Sequence, residues 1–337
     1  MTLRVGLVSF AHVHAAGYAA LLREWPGVSL LALDPDADTA PAGELRGAAM
    51  AESLGVELAG SAEEFWARRP DAVVVCTENA RHRPWVEAAA HAGAAVLCEK
   101  PLATTLADAE ALVAACDAAG VLLMTAYPVG FHPAFASLTR SVRAGAIGTV
   151  IAATGTNNGG APIDHRSWFG DAALAGGGAL MDHVVHLADL LDVVVPAPAV
   201  QVYARTNRVV HADRVDVETG GLVAITYGDG THAVLDCSWS VPPGYPAWGG
   251  LTLRVEGSRG AVEFDPFGER LAVYSGDERW QDYGPDLDRL MLAEFLDCVR
   301  TGRRPRSDGA AGLRTLRIVL AAQRSAELGT TVPVGGS

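Results

Sequence analysis

Up to about residue 125, short apolar runs alternate with stretches of helical composition. That alternation predicts βαβ units built on a parallel sheet. Strands are expected at Arg4–Phe10, Val28–Leu33, Ala72–Cys76, Ala95–Cys98 and Val121–Ala126. Helices are expected at Ala15–Glu24, Ala62–Arg68, Pro84–Ala92 and Leu106–Ala119, the last two closed by Gly93 and Gly120. Repetition at this spacing is the pattern of a doubly wound, Rossmann-type nucleotide-binding sheet, here assigned to residues 1–126.

Beyond residue 127 the texture changes. Helical patterns at Pro133–Ala144 and Ala179–Val193 flank a strand at Val150–Thr156, and Val-, Thr- and Tyr-rich strands follow at Val200–Thr206, Gly220–Tyr227, Thr231–Ser238, Leu251–Glu256, Ala261–Phe264 and Leu271–Tyr274. Turns such as Gly228-Asp229-Gly230 and Gly257-Ser258-Arg259-Gly260 join them as hairpins. Residues 127–337 therefore read as an α+β domain with an open, mainly antiparallel sheet. Leu287–Thr301 and Ala310–Glu327 are its closing helices, the C-terminal one free to pack back on the first domain.

A chain of 337 residues, half of them hydrophobic and 19% charged, is long enough for two cored domains and excludes a disordered or fibrous protein. A net charge of −13 argues against nucleic acid as a partner. The five cysteines are too dispersed for a disulfide framework and form no CxxC pair for zinc. The apolar stretch after Met1 is too short for a secretion signal, and no run approaches the length of a membrane span. A cytoplasmic protein without membrane contact is the expectation.

Three places carry candidate chemistry. The first strand-to-helix turn should hold cofactor phosphates, yet Ser9-Phe10-Ala11-His12-Val13-His14 has Ser9, Ala11 and His14 where the fingerprint has glycines. Small residues at 9 and 11 still admit close backbone approach, and a helix N-terminus attracts an anion. His14, by contrast, should crowd the packing of helix on strand. Asp34 ends the second strand 20 residues beyond His14, where an acid hydrogen-bonds the adenosine ribose of NAD and repels the extra phosphate of NADP. No Arg occupies 35–45, which also favours NAD over NADP. The alternative is an Asp that merely ends a strand.

Second, Glu99-Lys100-Pro101-Leu102-Ala103 follows the strand Ala95–Cys98 at the ligand-binding edge of such a sheet. Of 26 basic residues Lys100 is the one lysine, and lysine, unlike arginine, titrates within reach of neutrality when buried. Third, Gly176-Gly177-Gly178 opens an apolar helix carrying Asp182 and His186, four apart and so on one face. A carboxylate beside His186 raises its basicity and orients its ring, as a general base requires; a satisfied core histidine is the bland alternative.

With these residues in place, the chain resembles the Gfo/Idh/MocA oxidoreductases, which include glucose–fructose oxidoreductase and inositol dehydrogenase. The resemblance runs through Thr77…His82, Glu99-Lys100-Pro101-Leu102-Ala103, Phe131-His132-Pro133, Trp168-Phe169, Gly176-Gly177-Gly178 with Asp182, His186 and Asp189, and the segment from Ser307 to Val332. It implies that Lys100, Asp182 and His186 form the catalytic set, that substrate sits between the two domains, and that the open sheet builds a homodimer or homotetramer. It also places Ser9, Phe10, Ala11, His12, Val13, Asp34, Thr77, Glu78, Asn79, His82, Glu99 and Lys100 along the cofactor. Glu78 departs from the family's usual proline and brings an extra carboxylate toward the expected nicotinamide. Tyr127, His132, Asn157, His165, Trp168 and His183 are candidate substrate contacts. Spacing gives no strong metal site, and none is assigned.

The expected function is NAD-dependent oxidation of a secondary alcohol in a sugar, cyclitol or related polyol. The alternatives are a redox-neutral enzyme, such as an epimerase or eliminating enzyme working through transient oxidation, and a non-catalytic sensor that binds dinucleotide.

Overall fold

The computed structural model describes residues 2–245, 247–274, 278–282 and 284–335. By internal contacts the chain forms two compact units: 1–126 with 162–176 and 288–313, and 127–161 with 177–287 and 314–337. The expectation of an undivided second domain from 127 onward thus gives way at two places. Residues 162–176 and 288–313 pack with the first unit, because their polar groups pair with its main chain, as described below.

The first unit holds a six-stranded, all-parallel sheet in the order β3-β2-β1-β4-β5-β6. Its strands are β1 (Leu3–Val8), β2 (Val28–Leu33), β3 (Glu57–Leu58), β4 (Ala72–Val75), β5 (Ala95–Cys98) and β6 (Leu123–Thr125). Between them run α1 (Ala15–Arg23), α2 (Gly47–Leu54), α3 (Ala62–Ala67), α4 (His82–His91) and α5 (Leu106–Ala119). β4 and β5 are buried along their whole length, as strands covered by helices on both faces must be. Gly6 in β1 is required by space: a Cβ there would lie 2.3 Å from the Phe65 ring of α3. Strand order reverses between β1 and β4, which makes the carboxyl ends of these two strands the switch point where such sheets bind ligands. β1 ends at Val8 rather than Phe10, because Ser9 leaves the extended region. α2 and β3 had no clear signal in the sequence.

The second unit holds a seven-stranded sheet in the order β12-β11-β7-β10-β9-β8-β15. Its elements begin with α6 (Pro133–Arg143) and β7 (Val150–Gly159); a short α7 (Ala172–Ala175) belongs to the first unit. There follow α8 (Val185–Val194), β8 (Ala199–Asn207), β9 (Gly220–Tyr227), β10 (His232–Ser238), β11 (Gly249–Gly257), β12 (Gly260–Phe264) and a separate hairpin of β13 (Arg270–Tyr274) with β14 (Glu278–Asp282). The chain closes with α9 (Leu287–Thr301), α10 (Gly309–Leu328) and β15 (Val332–Pro333). Pairing is antiparallel except between β7 and β10, which run parallel. Strict alternation sorts the two faces. Ala153, Val202, Val223, Ile225, Leu235, Leu251 and Leu253 are buried, and α8 approaches β7 so closely that a Cβ at Gly155 would meet Leu187 at 2.8 Å. The opposite face presents Thr154, Val234, Ala224 and Tyr203 in one register row and Asp236 with Leu222 in the next, with Leu222 55% and Val234 46% exposed.

Candidate active site

In the first unit the site begins at Ser9, whose φ of 75° is one that side chains rarely adopt. Its buried hydroxyl compensates. Oγ donates to Asp34 Oδ1 (3.2 Å) and accepts from the Ala11 N–H (3.0 Å) and the Arg46 guanidinium (3.2 Å). His12 N–H reaches across the switch point to the Cys76 carbonyl at 2.9 Å. From the segment 162–176, Arg166 donates to the carbonyls of Phe10 (3.2 Å) and Ala11 (3.1 Å), and the Trp168 indole donates to Ala11 at 2.9 Å.

Asp34 stands at the end of β2, but its carboxylate is already engaged. Besides Ser9, it accepts from Phe10 N–H (3.1 Å), Gly47 N–H (2.7 Å) and Arg46 through both Nε (2.9 Å) and Nη2 (2.6 Å). Burial pushes its pKa up, yet the hydrogen bonds and charge of Arg46, with the two N–H groups, outweigh it and hold the carboxyl below its ordinary range. Arg46 follows directly on the arginine-free stretch 35–45, and it compensates the Asp34 charge that would repel a 2′-phosphate.

His14 does not wedge between helix and strand. It is the residue before α1, its side chain one-third exposed, and its Nδ1 meets Glu99 Oε1 at 3.0 Å. Glu99 Oε2 accepts from the Lys100 N–H at 2.9 Å and faces His12 Nε2 at 3.7 Å. Burial pushes the Glu99 carboxyl up, but His12, His14 and Lys100 together carry it far below the carboxylate range. Burial likewise pulls His14 down, and the charge and hydrogen bond of Glu99 still leave it above 6.5. Lys100 is 4% exposed at the end of β5, joined to Pro101 by a cis peptide.

The nitrogens of His12 and His14 and a Glu99 oxygen lie within 4.8 Å of one another, near enough for a cation. The tautomer opposes it. His12 Nδ1 accepts the His14 N–H (3.2 Å), so a neutral ring carries its proton on Nε2, the atom that would ligate. The cluster reads instead as an acid between two imidazoles.

Beyond β4, four buried polar atoms have no hydrogen-bond partner among the described residues: Thr77 Oγ1, Glu78 Oε2, Asn79 Oδ1 and His82 Nε2. Such groups are rare in folded interiors and call for a bound polar molecule. His82 Nδ1 is taken by the Leu102 carbonyl (3.1 Å), which leaves Nε2 as an acceptor, and burial lowers its pKa. Acceptors, a hydroxyl and the α1 N-terminus at one switch point suit the many donors and the anionic bridge of a nicotinamide dinucleotide.

In the second unit, Gly178 enters the helix against β9's approach. A Cβ there would lie 1.9 Å from the Glu218 carbonyl oxygen, and the Glu218 side chain accepts the N–H groups of Gly178 and Leu180, both at 3.0 Å. Residues Leu180–Val184 then form a π-helical turn before α8, so Asp182 and His186 do not share the plain α-helical face that their spacing suggested. Asp182 Oδ2 accepts from the Trp239 indole (3.0 Å) and lies 3.1 Å from His183 Nε2. Tyr127, which is buried, packs its ring edge-on 6.1 Å from that of His186, while its hydroxyl bonds Thr315 at 2.6 Å. Asn157 is buried, gives Nδ2 to the His183 carbonyl (3.2 Å), and its Oδ1 has no partner among the described residues.

His132 caps α6 through Nδ1, and His165 is exposed in the segment that belongs to the first unit. Trp168 is buried in that same unit against the loop after β1. The sequence did not single out Arg46, Glu218, Trp239 or Trp248, which is half-exposed with its ring 6.1 Å from His183. An Arg shortly after Asp34 and a Trp directly after β10 were the legible signals.

Comparison with known proteins gives this geometry a lineage. Residues 6–127 match a model described as an oxidoreductase family with an NAD-binding Rossmann fold, and residues 135–263 match the GFO/IDH/MocA C-terminal domain. D-apiose dehydrogenase of Paraburkholderia graminis is 29% identical, the match covering 97% of this chain and 87% of that protein. An NADP(+)-linked D-xylose 1-dehydrogenase of Haloferax volcanii is 31% identical over 86% of this chain and 89% of its own length. Among solved structures, GenD2 from gentamicin A biosynthesis, in complex with NAD, superposes with a TM-score of 0.87 at 27% identity, covering 99% of this chain and 97% of that one. The fold, the switch-point site and two matched models spanning most of the sequence make the chain a member of the Gfo/Idh/MocA oxidoreductase family.

Proposed function

We propose that the protein oxidises a secondary alcohol of a sugar, cyclitol or related polyol, with Lys100, Asp182 and His186 as its catalytic residues, the unit built on residues 1–126 as its cofactor domain and the unit built on 127–161, 177–287 and 314–337 as its substrate domain. The observation that carries this reading is the burial of the chain's one lysine at the carboxyl end of β5, beside a run of unpartnered polar atoms. Bound nicotinamide dinucleotide supplies the acceptor for the hydride that leaves the alcohol carbon. The protein's residues do the rest. His186 takes the hydroxyl proton, and the Lys100 ammonium hydrogen-bonds the same oxygen as its charge develops. Asp182 orients the imidazole or a neighbouring substrate hydroxyl. The products are the carbonyl compound, the reduced cofactor and a protonated His186. Ser9 to Val13, Asp34, Thr77 to Asn79, His82 and Glu99 line the cofactor; Asn157 faces the substrate, and His183 stands behind Asp182.

NAD is the cofactor first expected, and a NAD complex of a similar protein supports it. One observation favours a second reading: the Asp34–Arg46 pair leaves less negative charge against a 2′-phosphate, so NADP is admitted too. Calorimetric titration with both dinucleotides, followed by a polyol panel read as reduced-cofactor absorbance, tests these assignments. Lys100→Met and Lys100→Arg should lower turnover by about a thousandfold or more while dinucleotide binding persists. Near-normal activity of Lys100→Arg would remove the role given to a titratable ammonium. Steady accumulation of reduced cofactor separates this reaction from a redox-neutral one.

The half-apolar sheet face around Leu222, Val234 and Tyr203 is covered, on this reading, by a second copy of the chain in a cytoplasmic dimer or tetramer. Light scattering should give a multiple of 35.1 kDa.

A further inference from the structure

We infer that His183 is a positioning residue for this site: its ring donates from both nitrogens, one to the main chain of β7 and one to Asp182, so that the pair holds an added proton and fixes the carboxylate. The inference rests on the function proposed above for Asp182. Its geometry stands separately.

His183 is 5% exposed. Its Nδ1 lies 2.9 Å from the Asn157 carbonyl oxygen and its Nε2 lies 3.1 Å from Asp182 Oδ2. A carbonyl only accepts, and an ionised carboxylate only accepts, whereas a neutral imidazole has a single N–H. Two such contacts need one proton more than a neutral ring and an ionised carboxylate carry between them. The surroundings hold the ring to this arrangement. Asn157 grips the residue at both ends, its carbonyl on the ring and its Nδ2 on the His183 carbonyl at 3.2 Å. Gly159, two residues along β7, makes room: a Cβ there would lie 3.2 Å from His183 Cε1 and 2.6 Å from the Trp248 ring. The Trp239 indole adds a second donor to the same Asp182 oxygen at 3.0 Å. Adjacent residues on an α-helix point apart; here, within the π turn, their side chains meet. Charge-assisted hydrogen bonds in a buried setting are short and directional, which suits a carboxylate that must keep one orientation.

The test uses the full chain labelled with ring-¹⁵N histidine. His183, assigned by the signals lost in His183→Gln, should show both nitrogens protonated at neutral pH, and one should lose its proton in Asp182→Asn. In kinetics, His183→Phe should lower kcat by about 100-fold with KM and dinucleotide Kd changed less than about threefold, and His183→Gln, with one donor restored, should fall between. A bare ring nitrogen in the wild type overturns the inference, as does a His183→Phe kcat equal to wild type or a loss of dinucleotide affinity that matches the loss of kcat. If the variants fail to fold, the His183 ring signals are assigned in the wild type through their correlation to its main chain, and that spectrum still decides. A wild-type chain inert on every polyol would sink the proposed function while leaving the shared proton to be read from the spectrum.

Discussion

Two turns of this molecule sit where a small residue is wanted, and they meet the demand differently. In the loop after β1, Ser9 takes a left-handed backbone that a glycine would take freely, and its hydroxyl answers with three hydrogen bonds to Asp34, Ala11 and Arg46. At the entry to the π turn, Gly178 faces the Glu218 carbonyl, which leaves 1.9 Å for a Cβ that does not exist. The first demand is conformational, and its cost of about 1–2 kcal/mol can be offset by local hydrogen bonds. The second is spatial, and main chain that already fills the space does not yield. Loss of the glycine fingerprint in one place and retention of the glycine run in the other follow from that distinction.

The comparison can be broken most sharply at position 178. Gly178→Ala should destabilise the protein by at least about 3 kcal/mol, since neither the helix start nor β9's approach can shift without loss of the Glu218 cap. Thermal unfolding measures this, and turnover should fall with it because Asp182 and His186 lie just downstream. Ser9→Ala should cost about 2 kcal/mol in denaturant unfolding, as it keeps the strained backbone and loses the compensation. Ser9→Gly should cost less, within about 1 kcal/mol, because strain and hydrogen bonds go together. Equal stability of both variants and wild type would mean that the hydroxyl compensates nothing.

The smallest effect concerns the imidazole that took the third glycine's place. His14 titrates above 6.5 in the folded chain, so its contribution is complete below that value and fades as pH rises through the raised one. Glu99 stays ionised throughout this range. The stability gap between wild type and His14→Gln, less than about 1 kcal/mol for a side chain one-third exposed, should be wider at about pH 6 than at about pH 9. Urea midpoints at the two values test the sign.

Much of this was legible in the sequence because burial imposes pattern. β4, β5 and α5 appear as apolar runs closed by turn residues, and Lys100 stood out because every other basic residue is arginine. What stayed hidden depends on partners distant in sequence. The parallel pairing of β7 with β10 leaves no local trace, and the two strands alternate as antiparallel ones would. The π turn at Leu180–Val184 is invisible to a periodicity argument that assumes 3.6 residues per turn. The engagement of Asp34 turned on Arg46, whose proximity comes from α2, a short Ala-rich helix that the pattern did not announce. Trp168 and His165 were read as part of the second domain, but the segment that carries them packs with the first unit.

The outer rim of β6 has a consequence for how the chain is made. Thr125 N–H is held by the Ser307 carbonyl at 2.7 Å, the Ser307 hydroxyl returns to the Thr125 carbonyl at 2.9 Å, and Met124 bridges to Asp308. A ribosome delivers residue 126 long before residue 307. Until then the nascent nucleotide-binding body carries a sheet border with nothing against it, and the carbonyls of Phe10 and Ala11 lack Arg166 and Trp168. Cutting the chain at 126 would not release an independent half; it would leave a sticky seam open to any passing strand.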